Sequence, residues 1–252
     1  VYMEERRKAI IDLINEKGFV SFAELKSHFP QVSDMTLRRD LEYLDRIKQI
    51  IRIHGGAKSL DIVIGTEDFM ANRSVRNIEE KKLIASKAIT LLKPGSAVFV
   101  DSGSTMTLLS QVFPDGNYKI FTSGISCALE LSRLAQAQVH ILGGQLNAPS
   151  LSVNGSRSLD FLENVNFSLA FFGVTGYSTT KGFTCGEEEE YKLKSTVIRK
   201  SDQVSMLMDS SKVGKVSTFT FAAMKDVNYI ISDGRLDASI IKLAEQYGVD
   251  IL

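Results

Sequence analysis

The sequence has no long apolar run, no excess of either charge and only two cysteines, and each shortage argues against a class of protein. No stretch of about 18 apolar residues could span a membrane, and residues 1–5 lack the apolar core of a signal peptide. Cys127 and Cys185 are far apart and lack metal-ligand spacing. We therefore expect a cytoplasmic protein with no membrane partner, disulfide framework, metal or cofactor.

The 30 basic residues equal the 30 acidic ones, which by itself argues against a polyanionic partner. The distribution is uneven, because the segment 46–58 contains no acidic residue. Its cations are Arg46, Lys48, Arg52 and Lys58, with His54 among them. A small basic surface on a neutral protein is sufficient to bind phosphates when the fold places it along them.

Two short amphipathic helices are predicted at the N-terminus, over residues 4–17 and 22–29. Ser21 and Glu24 have the spacing of a capping box, and Pro30 ends the second helix. A third helix follows Ser33, a suitable N-cap. These lengths and turns are typical of a helix-turn-helix, whose second helix enters the major groove.

The third helix separates apolar from polar side chains. Leu37, Leu41 and Leu44 form a stripe that requires a core behind it. The opposite face and its flanks carry Met35, Thr36, Arg38, Arg39 and Arg46. This face could contact DNA; alternatively it is a solvated surface on which Arg38 pairs with Glu42, four residues on.

A β-hairpin is predicted after this helix. Ile51 and Ile53 alternate with Arg52 and His54, and a glycine pair allows a sharp turn. Such a wing would lay Arg52 and His54 against the DNA backbone or minor groove. The hairpin and the two preceding helices together favour DNA binding over a solvated face.

Three segments follow from these patterns: a winged helix-turn-helix domain at 1–58, a linker at 59–78 and a larger domain at 79–252. Glu67, Phe69 and Arg73 are expected to dock the linker to one domain. The larger domain alternates helices with short apolar runs, which predicts an α/β fold with a parallel sheet. Its strands are predicted at 97–100, 119–121, 139–142, 169–174, 204–208 and 229–231, and helices at 79–92, 106–112 and 126–133.

Strand after strand in this domain ends in small, polar or glycine residues. In open α/β sheets, ligands bind where the carboxyl ends of strands and the helix N-termini converge. The clearest case is Asp101-Ser102-Gly103-Ser104-Thr105, predicted to be a loop from Ser102 to Thr105, in which glycine allows a tight turn and hydroxyls and amides suit a phosphate. The alternative is that such loops are ordinary turns and caps.

These motifs resemble the DeoR family of bacterial sugar-metabolism regulators. The N-terminal resemblance rests on Ser21-x-x-Glu24-Leu25, Val32-Ser33-x-x-Thr36-Leu37-Arg38-Arg39-Asp40-Leu41 and Arg52-Ile53-His54-Gly55-Gly56-Ala57. The C-terminal resemblance rests on residues 101–105, Thr122-Ser123, Leu142-Gly143-Gly144, residues 172–176, Gly182-Phe183-Thr184 and Asp209-Ser210-Ser211-Lys212. The sequence departs from the family pattern at Pro30, Met106 and Ser123, where glycine, threonine and asparagine are usual.

The resemblance implies a C-terminal effector domain similar in fold to ribose-5-phosphate isomerase that binds phosphorylated sugars. Ser102, Gly103, Ser104 and Thr105 would hold the phosphate, and Lys212 would reach an anionic oxygen. The pocket would be lined by Asp101, Thr122, Ser123, Thr175 and Gly176. One of the four glutamates at 187–190 could also face it, although a charge run is usually a solvated face.

The leading hypothesis is a repressor of sugar-metabolism genes, not an enzyme, whose affinity for double-stranded operator DNA changes when a phosphorylated sugar binds. Ser33, Thr36, Arg38, Arg39, Arg52 and His54 would form the DNA contacts. One short helix reads few base pairs, so a homo-oligomer, dimer or tetramer, is expected. An activator built from the same parts stays open, and the alternative is a sugar-phosphate isomerase with an accessory N-terminal domain.

Overall fold

The computed structural model describes residues 3–47, 49–59 and 70–252. The chain divides into two compact units, Val1–Asp68 and Phe69–Leu252. Of the predicted linker, residues 60–69, with Glu67 and Phe69, lie outside the described residues, as does Lys48 of the basic segment. The linker's residues 70–73 are helical and belong to the second unit. The functional boundaries at 58 and 78 stay predictions.

The first unit packs three helices against a small antiparallel sheet with strand order β1-β3-β2. Its elements are α1 (Met3–Lys17), β1 (Phe19–Ser21), α2 (Phe22–His28), α3 (Asp34–Arg46), β2 (Ile51–Ile53) and β3 (Gly56–Lys58). The core is formed by Ile10 and Ile14 of α1, Leu25 of α2, the Leu37, Leu41 and Leu44 stripe of α3, and Ile50. The predicted helices, including the apolar stripe, are confirmed.

The hairpin forms as predicted, but its isoleucine alternation does not mark the buried face. Ile53 is 37% exposed and Ile51 is half-buried, whereas Ile50, just before the strand, is fully buried. In this hairpin the core is reached by Ile50, just before β2, and by Ala57 of β3, which is 1% exposed. The pairing of β1 with β3 was not predicted, because Phe19–Ser21 is too short to show a period.

The second unit is built on a seven-stranded sheet of order β15-β14-β12-β9-β4-β5-β6, in which each neighbouring pair is parallel. Its strands are β4 (Ala97–Val100), β5 (Lys119–Thr122), β6 (Gln138–Ile141), β7 (Gln145–Asn147), β8 (Ser152–Asn154), β9 (Leu169–Gly173), β10 (Gly176–Ser178), β11 (Gly182–Cys185), β12 (Val204–Leu207), β13 (Phe219–Ala222), β14 (Tyr229–Ile231) and β15 (Asp250–Ile251). Its helices are α4 (Met70–Arg73), α5 (Ile78–Ala88), α6 (Ser104–Val112), α7 (Ile125–Leu131), α8 (Ser156–Leu162), α9 (Glu188–Arg199) and α10 (Ala238–Tyr247).

The predicted α/β fold class is confirmed, and the six predicted strands all lie in the parallel sheet. Two apolar clusters cover its faces, one containing Phe99, Phe172 and Met206 and the other Val98 and Phe171. Alternate residues of one strand therefore serve opposite cores, which produces the continuous apolar runs of a sheet buried on both sides.

Several features of this unit differ from the prediction, and α8, α9, α10 and β15 were not predicted. The helix predicted at 79–92 ends at Ala88 and continues as a 3-10 turn over Ile89–Leu91. The hairpin β7-β8 and the antiparallel sheet β10-β11-β13 were not predicted, because their strands contain polar or glycine residues and lack the continuous apolar run that marks the parallel strands. Ser104 and Thr105, predicted to be loop residues, form the first turn of α6, since Gly103 at φ 114° is its N-cap.

Candidate functional site

Helix α3 presents its arginines outward. The Ser33 hydroxyl accepts a hydrogen bond from the Thr36 N–H at 3.2 Å, and the two hydroxyls lie 2.9 Å apart, so the helix begins where the sequence predicts. With the leucine stripe in the core, Arg38 and Arg39 are exposed, and Met35 beside them is 61% exposed. The outer face of α3 is thus open to a partner.

A buried carboxylate ties α3 to α1. Asp40 is 2% exposed, and its two oxygens accept hydrogen bonds from Arg6 Nε at 2.6 Å and Arg7 Nε at 2.8 Å. The guanidinium of Arg7 also lies 3.7 Å from the centre of the Tyr43 ring. Charge-assisted bonds to a desolvated carboxylate are among the stronger polar contacts. They hold the arginine-bearing helix at a fixed angle to α1.

Arg52 of the wing contacts α3 through both its side chain and its backbone. Arg52 Nη1 lies 3.1 Å from Glu42 Oε1, and the Arg52 N–H donates to Asp45 Oδ1 at 3.1 Å. Arg38 does not use Glu42 as the alternative interpretation required; its guanidinium lies over the Phe22 ring at 4.4 Å. Between α3 and the wing is a cleft of about 620 Å³, lined among others by Arg38, Arg52 and His54.

In the second unit, the loops after neighbouring strands converge at the carboxyl ends of the parallel strands. Asp101, after β4, accepts hydrogen bonds from the Gly173 N–H at 3.1 Å and from Lys194 Nζ at 2.6 Å. After β12, Asp209 accepts from Asn77 Nδ2 at 3.1 Å, and Asp233, after β14, accepts from the Ser210 hydroxyl at 2.8 Å. The sheet therefore brings these loops together as its parallel topology requires.

The first turn of α6 offers backbone donors at these carboxyl ends. Gly103 caps the helix without a side-chain hydrogen bond, and the first helical bond joins the Thr107 N–H to the Gly103 carbonyl. The amides of the preceding residues have no helical partner, so they can bind an anion. Ser102 and Thr105 are half-buried beside them, whereas Ser104 is buried.

Cations from three segments surround the same loops. Lys81 Nζ donates to the carbonyls of Arg73 at 2.5 Å and Arg76 at 2.7 Å. Burial, together with the nearby Lys212, lowers the pKa of Lys81 to about 8. A Cβ built on Gly103 would lie 3.9 Å from Arg73 Nη1. We call Arg73, Arg76, Lys81 and Lys212 the cationic cluster.

Arg73 has unused donors. Its Nε and Nη2 are buried, and neither has a hydrogen-bond partner among the residues that the structure describes. Two buried guanidinium nitrogens whose N–H groups have no acceptors are costly, and so is a lysine held among other cations. Both costs would be relieved by an anion placed between Arg73 and the Gly103 loop.

The other predicted effector residues lie at or near the carboxyl ends of β5 and β9, and their side chains differ in exposure. Thr122 is fully buried, and its hydroxyl accepts from the Gly124 N–H at 3.0 Å. Ser123 is buried, and its carbonyl accepts from the Val153 N–H. Thr175 is exposed, whereas Gly176 lies in β10, where a Cβ would stand 2.5 Å from the Lys215 carbonyl oxygen. Their roles in binding stay predictions.

The four consecutive glutamates have different surroundings. Glu188 and Glu189 pair with Lys192 on the surface of α9. Glu190 turns inward and lies 2.9 Å from Lys194 Nζ, which is 2% exposed and also bonded to Asp101. Burial disfavours the charged lysine, but Asp101 and Glu190 outweigh it and raise the pKa of Lys194. This inward glutamate therefore belongs to a buried ion network.

Sequence reasoning did not assign roles to Asp40, Lys81 and Lys194, although a periodic signal marks each one. Lys81 shares the buried stripe of α5 with Ile84, Ala85 and Ala88, and Asp40 lies within the leucine stripe of α3. Lys194 is buried between Leu193 and Val197 of α9. A charged residue at the spacing of a core position indicates a buried ion contact.

Within the described ranges, no group of three or more His, Cys, Asp or Glu side chains could hold a metal ion. No described helix combines the length and apolarity that crossing a membrane requires.

The two units match two family models in succession. Residues 6–63 match the DeoR-like helix-turn-helix domain, and residues 76–234 match the DeoR C terminal sensor domain. The chain belongs to the DeoR family. The resemblance predicted from the motifs is thereby confirmed, and this DeoR-family chain is a DNA-binding transcriptional regulator.

Full-length relatives agree with this assignment. The DeoR-family chain is 32% identical to the HTH-type transcriptional regulator GlpR of Haloferax volcanii, over 98% of this chain and 96% of that protein. It is 33% identical to the lactose phosphotransferase system repressor of Streptococcus mutans, over 96% of each. It is 26% identical to the glycerol-3-phosphate regulon repressor of Escherichia coli, over 98% and 97%.

Solved structures give a weaker likeness. Ribose 5-phosphate isomerase A of Methanocaldococcus jannaschii aligns with a TM-score of 0.41 and 15% identity, over 54% of this chain and 55% of that one. A likeness of this strength carries no functional argument for the DeoR-family chain.

Proposed function

We propose that this regulator is a repressor whose operator affinity is changed by a phosphorylated sugar bound in the second unit. The observation that carries the proposal is the cationic cluster beside the N-terminus of α6, where the Gly103 N-cap has no side chain to bond the free amides. A phosphate there would accept from the amides of the Gly103 loop and from Arg73, and it would offset the repulsion among the cations. Several relatives are named as repressors of sugar or glycerol-phosphate genes.

The predicted effector residues would divide between the two ends of the ligand. Ser102, Gly103, Ser104 and Thr105 would hold the phosphate, and Lys212 would add a charge to it. The sugar would extend towards the loops after β5 and β9, where its hydroxyls could meet the backbone around Ser123 and the exposed Thr175. Asp101, Thr122 and Gly176 would shape this pocket from beneath.

DNA would be read by the outer face of α3. Arg38 and Arg39 are exposed on it, and Thr36 and Ser33 lie at its first turn, where recognition helices contact base edges. Arg52 and His54 line the cleft beside the wing and would contact phosphates. Because one such helix reads few base pairs, the protein would act as a homo-oligomer on a two-fold symmetric operator.

The reading surface is tested by fluorescence anisotropy with DNA from the promoter upstream of the gene. The double variant Arg38→Ala, Arg39→Ala should lose operator affinity by 10-fold or more, since each good bidentate base contact contributes about 1–3 kcal/mol. Arg199→Ala, which removes an exposed arginine of α9, is the control. Unchanged operator affinity in the double variant would remove α3 as the reading surface.

The competing function is a sugar-phosphate isomerase with an accessory DNA-binding domain. It would need a carboxylate base at the sugar carbons and a cation beside the enediolate oxygen. Glu190 is the inward candidate, but it is ion-paired with the buried Lys194, and a helix-turn-helix has no use in such an enzyme. We propose that the protein is not an enzyme. Turnover of pentose or hexose phosphates that Lys212→Ala abolishes would refute this.

A further inference from the structure

The longest stretch of the chain without an Asp, Glu, Lys or Arg runs from Leu134 to Ser156, although charged residues make up 24% of the sequence. Part of it is buried, including Leu142 and the three residues of β8. Gln138, His140, Ile141 and the four residues from Gly143 to Leu146 are exposed. The absence of charge from these exposed positions requires an explanation.

Strand β6 lies within this stretch and is the outermost strand on its side of the seven-stranded sheet. The Gln138 N–H donates to the Tyr118 carbonyl at 2.8 Å, and the Leu142 N–H donates to the Thr122 carbonyl at 2.9 Å. In a parallel ladder, alternate residues bond to the same neighbour, so the backbone groups of Val139 and Ile141 face away from β5. Within residues 70–252, no strand pairs with that side.

Large apolar side chains surround this open strand. Ile141 is 48% exposed, Leu146 of β7 is 54% exposed, and Phe161 of α8 is 46% exposed. Phe161 and His140 both pack on the Phe121 ring, with centroids at 6.1 Å and 4.7 Å. We call β6, Leu146 and Phe161 the edge surface.

The edge surface is held rigidly. The Ser158 hydroxyl of α8 donates to the Gly143 carbonyl at 2.7 Å, which ties α8 to the loop after β6. The Gly124 and Ser152 backbones form a bridge that attaches the β7-β8 hairpin to the loop after β5. At Gly144 a Cβ would lie 2.3 Å from the Asn154 carbonyl oxygen, so this turn admits only glycine. A preformed surface loses little conformational entropy on association.

We propose that the edge surface is the contact between two copies of this chain, with β6 pairing antiparallel to β6 of the second copy across a two-fold axis. Interface cores are depleted of charge, as residues 134–156 are, and the charges near this surface, Arg157, Asp160 and Glu163, belong to α8 and its end and are of both signs. The β6 strand itself offers no complement to a nucleic acid or another charged partner. An open, uncharged strand invites pairing unless the protein blocks it. A strand edge on a two-fold axis is complementary to itself. In the antiparallel pair, the free N–H groups of each copy meet the free C=O groups of the other.

The inference rests partly on the proposed function, because reading a two-fold symmetric operator requires two DNA-binding units in one assembly. It goes beyond that function in naming the surface that joins the copies. Exposed edges of this kind are otherwise blunted by lysine, proline or a bulge, and β6 has none of these.

Sedimentation velocity of the full-length protein tests the proposal. The wild-type protein should be a dimer or a larger assembly. Ile141→Lys would place two like charges near the axis, and Leu146→Lys would charge the adjoining hairpin, so each should weaken dimerisation by about 10- to 100-fold. The control is Ile241→Lys on α10, where the isoleucine is 41% exposed and outside the edge surface. Circular dichroism and the thermal midpoint report whether each variant is folded.

The outcomes separate this inference from the proposed function. A folded, dissociated Ile141→Lys or Leu146→Lys variant that still shows an effector-induced thermal shift but binds operator weakly supports both. A monomeric wild-type protein, or folded Ile141→Lys and Leu146→Lys variants with the wild-type sedimentation coefficient, overturns the edge-surface dimer. A wild-type dimer dissociated by these variants, but without operator binding, would leave the dimer standing and refute the proposed function alone.

Discussion

Asp40 is the residue whose replacement should most disturb the first unit without removing any of the side chains proposed to contact DNA. The variant Asp40→Ala removes two charge-assisted hydrogen bonds and leaves Arg6 and Arg7 facing an uncharged pocket. Removing one partner of a fully buried ion pair costs about 3–5 kcal/mol. The two arginines are 14% and 17% exposed and recover some hydration, so we expect about 2–4 kcal/mol.

Hydrogen–deuterium exchange with mass spectrometry of the full-length protein measures this loss locally. Peptides from α1 and α3 should lose protection by about 30- to 700-fold, since each 1.4 kcal/mol corresponds to a factor of ten. Peptides from the second unit serve as an internal reference. The control Asp34→Asn alters a carboxylate that is 63% exposed and paired with Lys26, so it should change protection little. A loss of local stability below about 1 kcal/mol in Asp40→Ala would refute the role of Asp40 in holding α3 against α1.

Three further predictions follow from the site geometry. Effector affinity should be nearly constant from about pH 7 to 8 and fall above pH 8 by up to about tenfold per pH unit, because Lys81 loses the proton that a bound phosphate favours. Isothermal titration calorimetry from pH 7 to 9 checks this, and a flat profile would contradict it. Arg73→Met should abolish the thermal shift given by sugar phosphates, whereas Lys82→Met, an exposed neighbour paired with Glu79, should preserve it. Arg52→Ala should reduce the slope of log affinity against log salt concentration by about 0.9 without altering base preference, and an unchanged slope would exclude a phosphate contact.

Much of the fold was predictable because its signals are local and repeated. The leucine stripe of α3 follows from a helical period, the cap at Ser33 from its side chain, and the six parallel strands from short, continuous apolar runs. Antiparallel strands such as β10 and β13 were not predicted because they mix polar or small residues with apolar ones, and their pairing is decided by tertiary contacts.

The functional sites were predictable to a lesser degree. The Gly103 loop could be located because strand ends are marked by small and polar residues. The cationic cluster could not, since Lys212 is far in sequence from Arg73 and Lys81 and is brought near them only by the fold. The sequence could not predict the contact partner of Arg38 either, because the choice between Glu42 and Phe22 depends on how α2 packs against α3. Buried charges within apolar stripes are the signal that sequence reasoning could have used.

The central claim is that a sugar phosphate in the second unit alters DNA binding by the first. A thermal-shift screen first identifies a sugar phosphate that binds, because a ligand at 100 times its dissociation constant stabilises the native state by about 2.7 kcal/mol. Operator affinity is then measured by fluorescence anisotropy with and without that ligand at saturation. The account predicts a change of about 5- to 150-fold, equivalent to a coupling of about 1–3 kcal/mol. Equal operator affinity with and without a ligand that demonstrably binds would contradict it.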